Sequence, residues 1–209
     1  MKKLIIGILL LGLLNSCYKS PDTSQLSSAF VVATNYDNSA NFKSYKTFVL
    51  PPYVGLISSS STDSILDPQY GNQILNLIDS QLTARGYTEV PNNQTADLGI
   101  SAMALKETTI VSGWYPGSWW GYPGWGGCYW YYCGYYPIYP PYYTTYVYQT
   151  GSLIIEMVDL KNIPKGETKL NVIWTNWNGG ALGSATNNLN NALNSINQAF
   201  VQSPYISAH

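Results

Sequence analysis

The stretch that decides the fold is GSLIIEMVDLKNIPKGETKLNVIWTNW, residues 151–177. Its first part continues a β-prone run that begins at Thr144, and three of its apolar residues fall on one face: Leu153, Ile155 and Met157. Residues 161–169 contain a proline and a glycine and predict a hairpin loop, and residues 170–177 predict the returning strand. We therefore expect an antiparallel hairpin here.

Three more strands are expected upstream of this hairpin, over residues 30–34, 45–50 and 96–111. The first two are rich in β-branched and aromatic side chains and are separated by turn-forming residues. In the third, one face carries only apolar residues and the other face a mixture of small and apolar residues, which predicts a strand buried on one face and partly buried on the other.

Two helices are expected, one before the third strand and one after the hairpin. The first begins at Asp67-Pro68, since an aspartate caps free amides and proline fits the first helical position. Its apolar residues recur every four positions: Tyr70, Ile74, Ile78 and Leu82. Arg85-Gly86 closes it. The last helix carries a similar stripe and ends before Pro204: Leu189, Leu193, Ile196 and Phe200.

The element order β-β-α-β-β-β-α predicts an α+β fold. We expect a two-layer sandwich, with a mostly antiparallel sheet of about five strands and both helices on one face. A long Tyr/Trp/Gly-rich loop is inserted in the hairpin of the third and fourth strands. The chain has 209 residues, which is enough for one domain, and we place that domain at residues 29–209.

The composition excludes several function classes. Ten basic and eleven acidic side chains give a net charge of -1, so we expect no nucleic-acid partner. The one histidine is His209, at the end of the sequence, which leaves no imidazole inside the domain for a triad or a metal site. We expect no catalytic residues, no metal, no cofactor and no enzyme activity.

The first residues predict an export signal. Met1-Lys2-Lys3 is followed by an apolar run, residues 4–14, and then by Asn15-Ser16-Cys17. Eleven helical residues span about 16 Å, roughly half of a bilayer core, so we expect residues 1–16 to be removed rather than to span the membrane.

Residues 14–17, Leu-Asn-Ser-Cys, resemble the lipobox of bacterial lipoproteins. The resemblance implies that Cys17 receives a diacylglycerol and becomes the mature N-terminus. Residues 18–28 contain serines, Pro21 and Asp22 with little apolar content, so we expect residues 17–28 to be the lipidated N-terminus and a flexible tether. Because Tyr18 rather than an aspartate follows Cys17, the resemblance also implies the outer membrane, with the leaflet left open. The alternative is an ordinary signal peptide with a chance cysteine.

The insertion, residues 112–143, is the most unusual part of the sequence. It holds ten Tyr, five Trp, seven Gly and five Pro, and no charged residue occurs from Thr108 to Ile155. We expect a long loop with β arms at residues 108–111 and 144–147. The candidate contact residues are aromatic: Trp114, Trp119, Trp120, Trp125, Trp130, Tyr131 and Tyr132. They suit a protein partner, a sugar or a lipid surface, or a second small core over the open sheet face.

Cys128 and Cys133 lie within the insertion. In an exported protein we expect them to form a disulfide. The alternatives are a metal pair, for which two thiolates are too few ligands, and a redox couple, for which the spacing departs from Cys-x-x-Cys.

Three acids are the remaining candidates for chemistry: Glu107, Glu156 and Asp159. A pair of them could cleave glycosides only if the fold placed two carboxylates across a cleft, and nothing in the sequence does so. We expect Asp159 to start a turn and Glu156 to face outward from its strand.

Several segments together resemble the domain of unknown function 4136 of bacterial lipoproteins. They are VVATNYDNSANFKSYKTF (31–48), RGY (85–87), ADL (96–98), GSLIIEMVD (151–159), VIW (172–174) and INQAF (196–200). The resemblance implies an α/β sandwich and a cell-envelope lipoprotein, with no known activity or catalytic residue. Thr175 and Asn176 depart from it, since a basic residue and a glycine are frequent there.

The function that we expect is that of a non-enzymatic lipoprotein, held at a membrane by its lipid, whose aromatic loop contacts an envelope protein or surface. The alternatives are a glycan-binding module that stacks sugars on the loop's Trp and Tyr side chains, and a hydrolase.

Overall fold

The computed structural model describes residues 31–57, 65–91, 94–105, 109–111, 136–138, 146–148, 151–167, 169–179 and 185–209. The signal peptide, the tether and most of the aromatic insertion lie outside these ranges, so the predictions for them stay predictions. No helix within the described ranges is long and apolar enough to cross a membrane.

Two α-helices, one 3-10 helix (Phe42–Ser44) and ten strands make up the described elements. The helices are α1 (Pro68–Thr83) and α2 (Ala185–Gln202). The strands are β1 (Val31–Tyr36), β2 (Thr47–Val49), β3 (Gly55–Ile57), β4 (Thr88–Glu89), β5 (Leu98–Leu105), β6 (Thr109–Val111), β7 (Tyr136–Ile138), β8 (Tyr146–Tyr148), β9 (Leu153–Asp159) and β10 (Lys169–Gly179).

Eight of the described strands form one mixed sheet, in the order β1-β10-β9-β5-β2-β4, with β3 beside β5 and β7 beside β10. The β9–β10 hairpin is antiparallel as predicted, and so are the β5–β9 and β1–β10 pairs. The α+β class is therefore confirmed. The prediction of about five strands is wrong, because eight described strands form the sheet. The longest pairs are antiparallel, but the sheet is mixed, because β2, β3 and β7 make short parallel pairs.

The parallel pairing of β2 with β4 has a simple cause. Helix α1 lies between them in the chain and returns the backbone to the end of the sheet where β2 begins, as a crossover helix does between parallel strands. Strands of two or three residues, such as β3 and β4, are also too short to leave a pattern in the sequence.

Helix α1 forms as its sequence predicts. The Asp67 carboxylate accepts a hydrogen bond from the backbone N–H of Gln69 at 2.8 Å, and Pro68 occupies the first position. Ile74, Ile78 and Leu82 of the apolar stripe are buried, and Tyr70 is half-buried. Gly86 ends the helical region at a φ of 88°, a left-handed conformation that glycine adopts without strain.

Both helices pack on one face of the sheet, as predicted. The main core joins side chains of β5, β9 and β10 to side chains of both helices: Leu98, Ile100, Ile155, Met157, Trp174, Ile78, Leu82, Ile196 and Phe200. Trp174 lies at its centre, where its indole Nε1–H donates to Ser203 Oγ at 2.9 Å and its ring centroid lies 5.5 Å from that of Phe200.

The pairing of β10 with β9 shifts between Val172 and Trp174, which marks a β-bulge. Beyond it, Trp174 pairs with Met157 on the helix-covered face. Asn176 and Asn178 follow on that same face, while Thr175 and Trp177 lie on the opposite one. The bulge therefore decides which β10 side chains the helices cover.

Candidate functional site

Most of the predicted site residues fall outside the described ranges. These are Cys17, Cys128, Cys133, Glu107, Trp114, Trp119, Trp120, Trp125, Trp130, Tyr131 and Tyr132. The structure does describe two points at which the aromatic insertion is held: the strand pair that closes its base, and one strand inside it that joins the main sheet.

The first attachment is the base of the insertion. Strands β6 and β8 pair in antiparallel fashion, from Thr109 opposite Tyr148 to Val111 opposite Tyr146, and form a two-stranded sheet of their own. Of the two predicted arms, residues 109–111 and 146–147 pair with each other here, and the rest of the arms lies outside the described residues. The chain therefore leaves and returns at one place.

The second attachment is strand β7, which lies inside the insertion. It pairs in parallel with the start of β10, with Tyr136 opposite Lys169 and Ile138 opposite Asn171. The Gly and Pro content of residues 112–143 predicts only a loop here, so β7 is a difference from that prediction. Strand β7 pairs with β10 along one of its edges, and Pro137, which has no backbone N–H, is compatible with such an edge strand.

The sheet face opposite the helices carries a polar row across its three central strands. Ser101 on β5 pairs with Glu156 on β9, which pairs with Thr175 on β10. All three are buried, with exposed fractions of 8%, 3% and 8%. Met103 and Ile154 belong to one apolar cluster on this sheet, and a second apolar cluster lies on the other side of the polar row.

The prediction that Glu156 faces outward is therefore wrong. Strand β9 is central, and all seven of its residues are buried, so both of its faces are covered. A period-two pattern assigns a residue to one of two faces but does not show whether that face meets solvent.

Asp159 starts a turn, as predicted. Its Oδ1 accepts hydrogen bonds from the backbone N–H groups of Lys161 and Asn162, both at 2.9 Å. Its Oδ2 accepts from the Tyr45 hydroxyl at 2.8 Å and from the Asn162 side-chain amide at 2.7 Å. Burial, reinforced by the Asp159 carboxylate, raises the pKa of Tyr45 well above its ordinary value, so this hydroxyl stays a donor.

Of the three candidate acids the structure describes Glu156 and Asp159, and it does not bring these two together. Asp159 lies beside Leu98 on the helix-covered face, and Glu156 lies on the other face of the same strand. Within the described residues, no group of three His, Cys, Asp or Glu side chains is placed to hold a metal ion.

A groove that the sequence analysis did not single out lies between α1 and the edge strand β4. Its volume is about 520 Å³. Its lining combines apolar residues, Leu50, Pro51, Pro52, Leu75, Val90 and Pro91, with polar residues, Asn72, Asn76, Asp79 and Glu89. Partial desolvation in the groove, and then the nearby Asp79 carboxylate, raise the pKa of Glu89 above its ordinary value, although the residue as a whole is exposed. This lining suits a cationic group with an apolar stem.

The two carboxylates of the groove give a pH prediction. In Asp79→Asn, we expect the pKa of Glu89 to fall toward its ordinary value without reaching it, because burial is the larger cause of the shift. Because folding raises the pKa of Glu89, its charged form lowers the free energy of unfolding at neutral pH. This free energy is recovered as the pH falls through the folded-state pKa and the carboxylate is protonated. A carbon-detected NMR titration of the Glu89 carboxyl measures it.

Glu167→Gln serves as the control, because Glu167 lies in the exposed β9–β10 loop and should leave the pKa of Glu89 unchanged. An unchanged Glu89 pKa in Asp79→Asn would show that the two carboxylates do not interact.

Comparison with known proteins adds the family. A family model described as "Domain of unknown function (DUF4136)" matches residues 32–205. The crystal structure of a DUF4136 family protein from Bacteroides thetaiotaomicron is similar, with 37% identity and a TM-score of 0.71, over 86% of this chain and 98% of that one.

A second solved structure, a PelC L103M dodecamer from Paraburkholderia phytofirmans, aligns with 83% of this chain and 99% of its own, at 12% identity. Its TM-score of 0.37 is too low to support any argument about this protein. No curated protein matches the sequence. The family match and the 37% identical structure agree with the segments quoted above, and the chain belongs to the DUF4136 family.

Proposed function

We propose that this protein is a non-enzymatic lipoprotein of the cell envelope, anchored in the outer membrane through Cys17, and that its insertion at residues 112–143 contacts another envelope protein or surface. The observation that carries the proposal is the double attachment of the insertion, through the β6–β8 pair and through β7 on β10.

Two attachments favour a contact role for physical reasons. A segment tied at its base and at a point within it has fewer conformations to lose when it binds, so less of the binding free energy goes into ordering it. Trp and Tyr are also the side chains that contribute most at interface centres, where charged residues are depleted. This insertion has 15 Trp and Tyr in 32 residues and no charge.

The proposal of a non-enzymatic role is supported by the placement of the polar residues. Asp159 is engaged by a turn and by Tyr45, and Glu156 lies on the other face of the sheet. A β-carbon at Gly86 would collide with the His209 imidazole, which places the one histidine of the sequence against the end of α1.

Glycan binding is the second candidate, on the strength of the same aromatic content. Flat Trp and Tyr faces stack on sugar rings and offer N–H and O–H donors. The two candidates differ in what the tryptophans would bind, so one variant tests both.

The test replaces the five tryptophans of the insertion with alanine in the full-length chain, solubilised in detergent: Trp114, Trp119, Trp120, Trp125 and Trp130. Wild type and variant are compared in a pull-down from intact envelopes and on a glycan array. We expect named envelope proteins to be captured by wild type and to be lost at least tenfold in the variant, with no glycan signal.

Val201→Ala is the matched control, because it removes an exposed apolar side chain from α2 and should change neither assay. Thermal melts show whether each variant keeps the fold. Tryptophan-dependent glycan binding would favour the second candidate, and identical capture by wild type and variant would overturn a role for the tryptophans.

A further inference from the structure

The groove between α1 and β4 has a defined position in the fold. Strands β2 and β4 run parallel, with Phe48 opposite Glu89, and α1 lies between them in the chain. The groove is lined by the residues that follow each strand directly, 50–52 after β2 and 90–91 after β4. It therefore lies at the carboxyl ends of two parallel strands joined through a helix, which is where parallel sheets place their ligand sites.

Three prolines frame the groove. Pro51 and Pro52 follow β2, and Pro91 follows β4. A proline ring fixes the φ angle of its residue, so these segments have little conformational freedom to lose when the groove is occupied. The volume of about 520 Å³ falls within the range of about 300–1,000 Å³ that is typical of small-molecule sites. The size therefore suits an organic molecule rather than a single ion.

Helix α1 turns a polar face to the groove, beside the stripe that it buries in the core. Asn72, Asn76 and Asp79 are spaced by four and three residues, so they lie along one side of the helix. Leu75 lies among them and is 7% exposed. Glu89, at the end of β4, supplies a second carboxylate. Among the described residues that line the groove there is no Lys, Arg or His, so the charge of the lining is wholly negative.

The carboxylates of Asp79 and Glu89 are not paired with a cation of the described chain. Asp79 Oδ1 accepts a hydrogen bond from the exposed Thr83 hydroxyl at 3.3 Å. Glu89 makes no side-chain hydrogen bond or ion pair with any residue that the structure describes. The nearest cation along the chain, Arg85, donates to the Phe200 carbonyl instead. Because the charge of Asp79 contributes to the raised pKa of Glu89, the two carboxylates repel each other, and one cation would stabilise both.

The lining selects the chemical class of the ligand. A metal ion such as Ca²⁺ takes about six to eight oxygen ligands, and within the described residues no three His, Cys, Asp or Glu side chains are grouped to hold one. A neutral apolar molecule would desolvate the carboxylates without compensating their charge. An ammonium group on an aliphatic stem matches both parts of the lining, because its charge suits the carboxylates and its stem suits Leu75, Val90 and the prolines.

We propose that this groove is a binding site for an aliphatic amine, with the ammonium group at Asp79 and Glu89 and the stem on the apolar residues of the lining. The ligand is a small organic cation rather than the lysine side chain of a protein partner, because β4 has only two residues and offers little backbone to an added peptide strand. The inference is independent of the proposed contact role of the insertion, since no lining residue lies within residues 112–143.

The test is an NMR titration of the full-length protein in a non-ionic detergent, following the backbone amides of Asn76, Asp79 and Glu89. We expect pentylammonium chloride to shift these amides to saturation, with a Kd that rises about fivefold in Asp79→Asn or Glu89→Gln. Ethylammonium should bind more weakly than pentylammonium, because each methylene removed from water favours binding. Pentan-1-ol, which has the stem without the charge, should cause no saturable shift.

Glu167→Gln is the matched control, since it removes one carboxylate from the exposed β9–β10 loop and should leave the Kd unchanged. Asp79 and Glu89 are both at least partly exposed and the replacements keep side-chain shape, so we expect the fold to be retained. The proposal is overturned if pentylammonium gives no saturable shift or binds both groove variants as tightly as wild type. Equal binding of pentan-1-ol, saturable shifts with calcium chloride alone, or tighter binding of a glycyl-lysyl-glycine peptide would also overturn it.

Discussion

Replacing Trp174 with alanine is expected to lower the free energy of unfolding by about 3–5 kcal/mol. The side chain is 1% exposed and lies at the centre of the core. Its loss leaves a cavity between β10 and α2 and removes the indole bond to Ser203 and the contact with Phe200. Since domains are stable by about 5–15 kcal/mol, this one change removes a large share of the total.

Urea unfolding followed by circular dichroism measures the free energy of unfolding. In a thermal melt, the midpoint temperature should fall by about 6–20 °C. Trp174→Phe is the matched variant. It keeps much of the packing but loses the hydrogen bond, so its effect should be smaller. Ser203 still accepts a bond from Tyr205 at 3.2 Å, so it is not left without a partner. A Trp174→Ala protein as stable as wild type would contradict this account of the core.

The parts of the fold that local chemistry determines could be predicted from the sequence. Asp67-Pro68 and Gly86 mark the limits of α1 because a cap, a fixed φ and a left-handed turn act within a few residues. The hairpin at residues 151–177 is predictable because a short loop leaves few alternatives to antiparallel pairing.

The parts that depend on long-range pairing could not be predicted. Nothing local to β2 shows that it pairs in parallel with β4 and β5, because that follows from the course of α1. The shift between Val172 and Trp174 decides which face Asn176 occupies, yet no residue type requires a bulge there. Glu156 is buried because its face of the sheet is covered, and the alternation of side chains along a strand does not show whether a face is covered.

Of the candidate site, the sequence predicted the arms of the insertion but not β7. The arms carry β-branched residues without glycine, whereas Tyr136–Ile138 includes a proline and lies among glycines and prolines. The β7 strand exists because β10 offers it a free edge at Lys169–Asn171, beyond the stretch that β1 occupies. The groove beside β4 was missed because its residues come from separate segments.

Cys17→Ala has the largest effect expected on the protein's place in the cell. If Cys17 carries the lipid, the variant has no acyl chain and should leave the membrane fraction completely. Each buried methylene contributes about 0.8 kcal/mol, so two or more chains hold a protein stably where one does not. Cys128→Ala/Cys133→Ala is the matched control, since it removes the other two cysteines and should change neither lipid content nor fraction.

The measurement that tests the proposed function most directly is incorporation of labelled palmitate, followed by fractionation of wild type and Cys17→Ala. We predict a labelled wild type in the outer-membrane fraction and an unlabelled variant outside it. An unlabelled wild type, with the Cys17→Ala protein in the same fraction, would contradict the proposal.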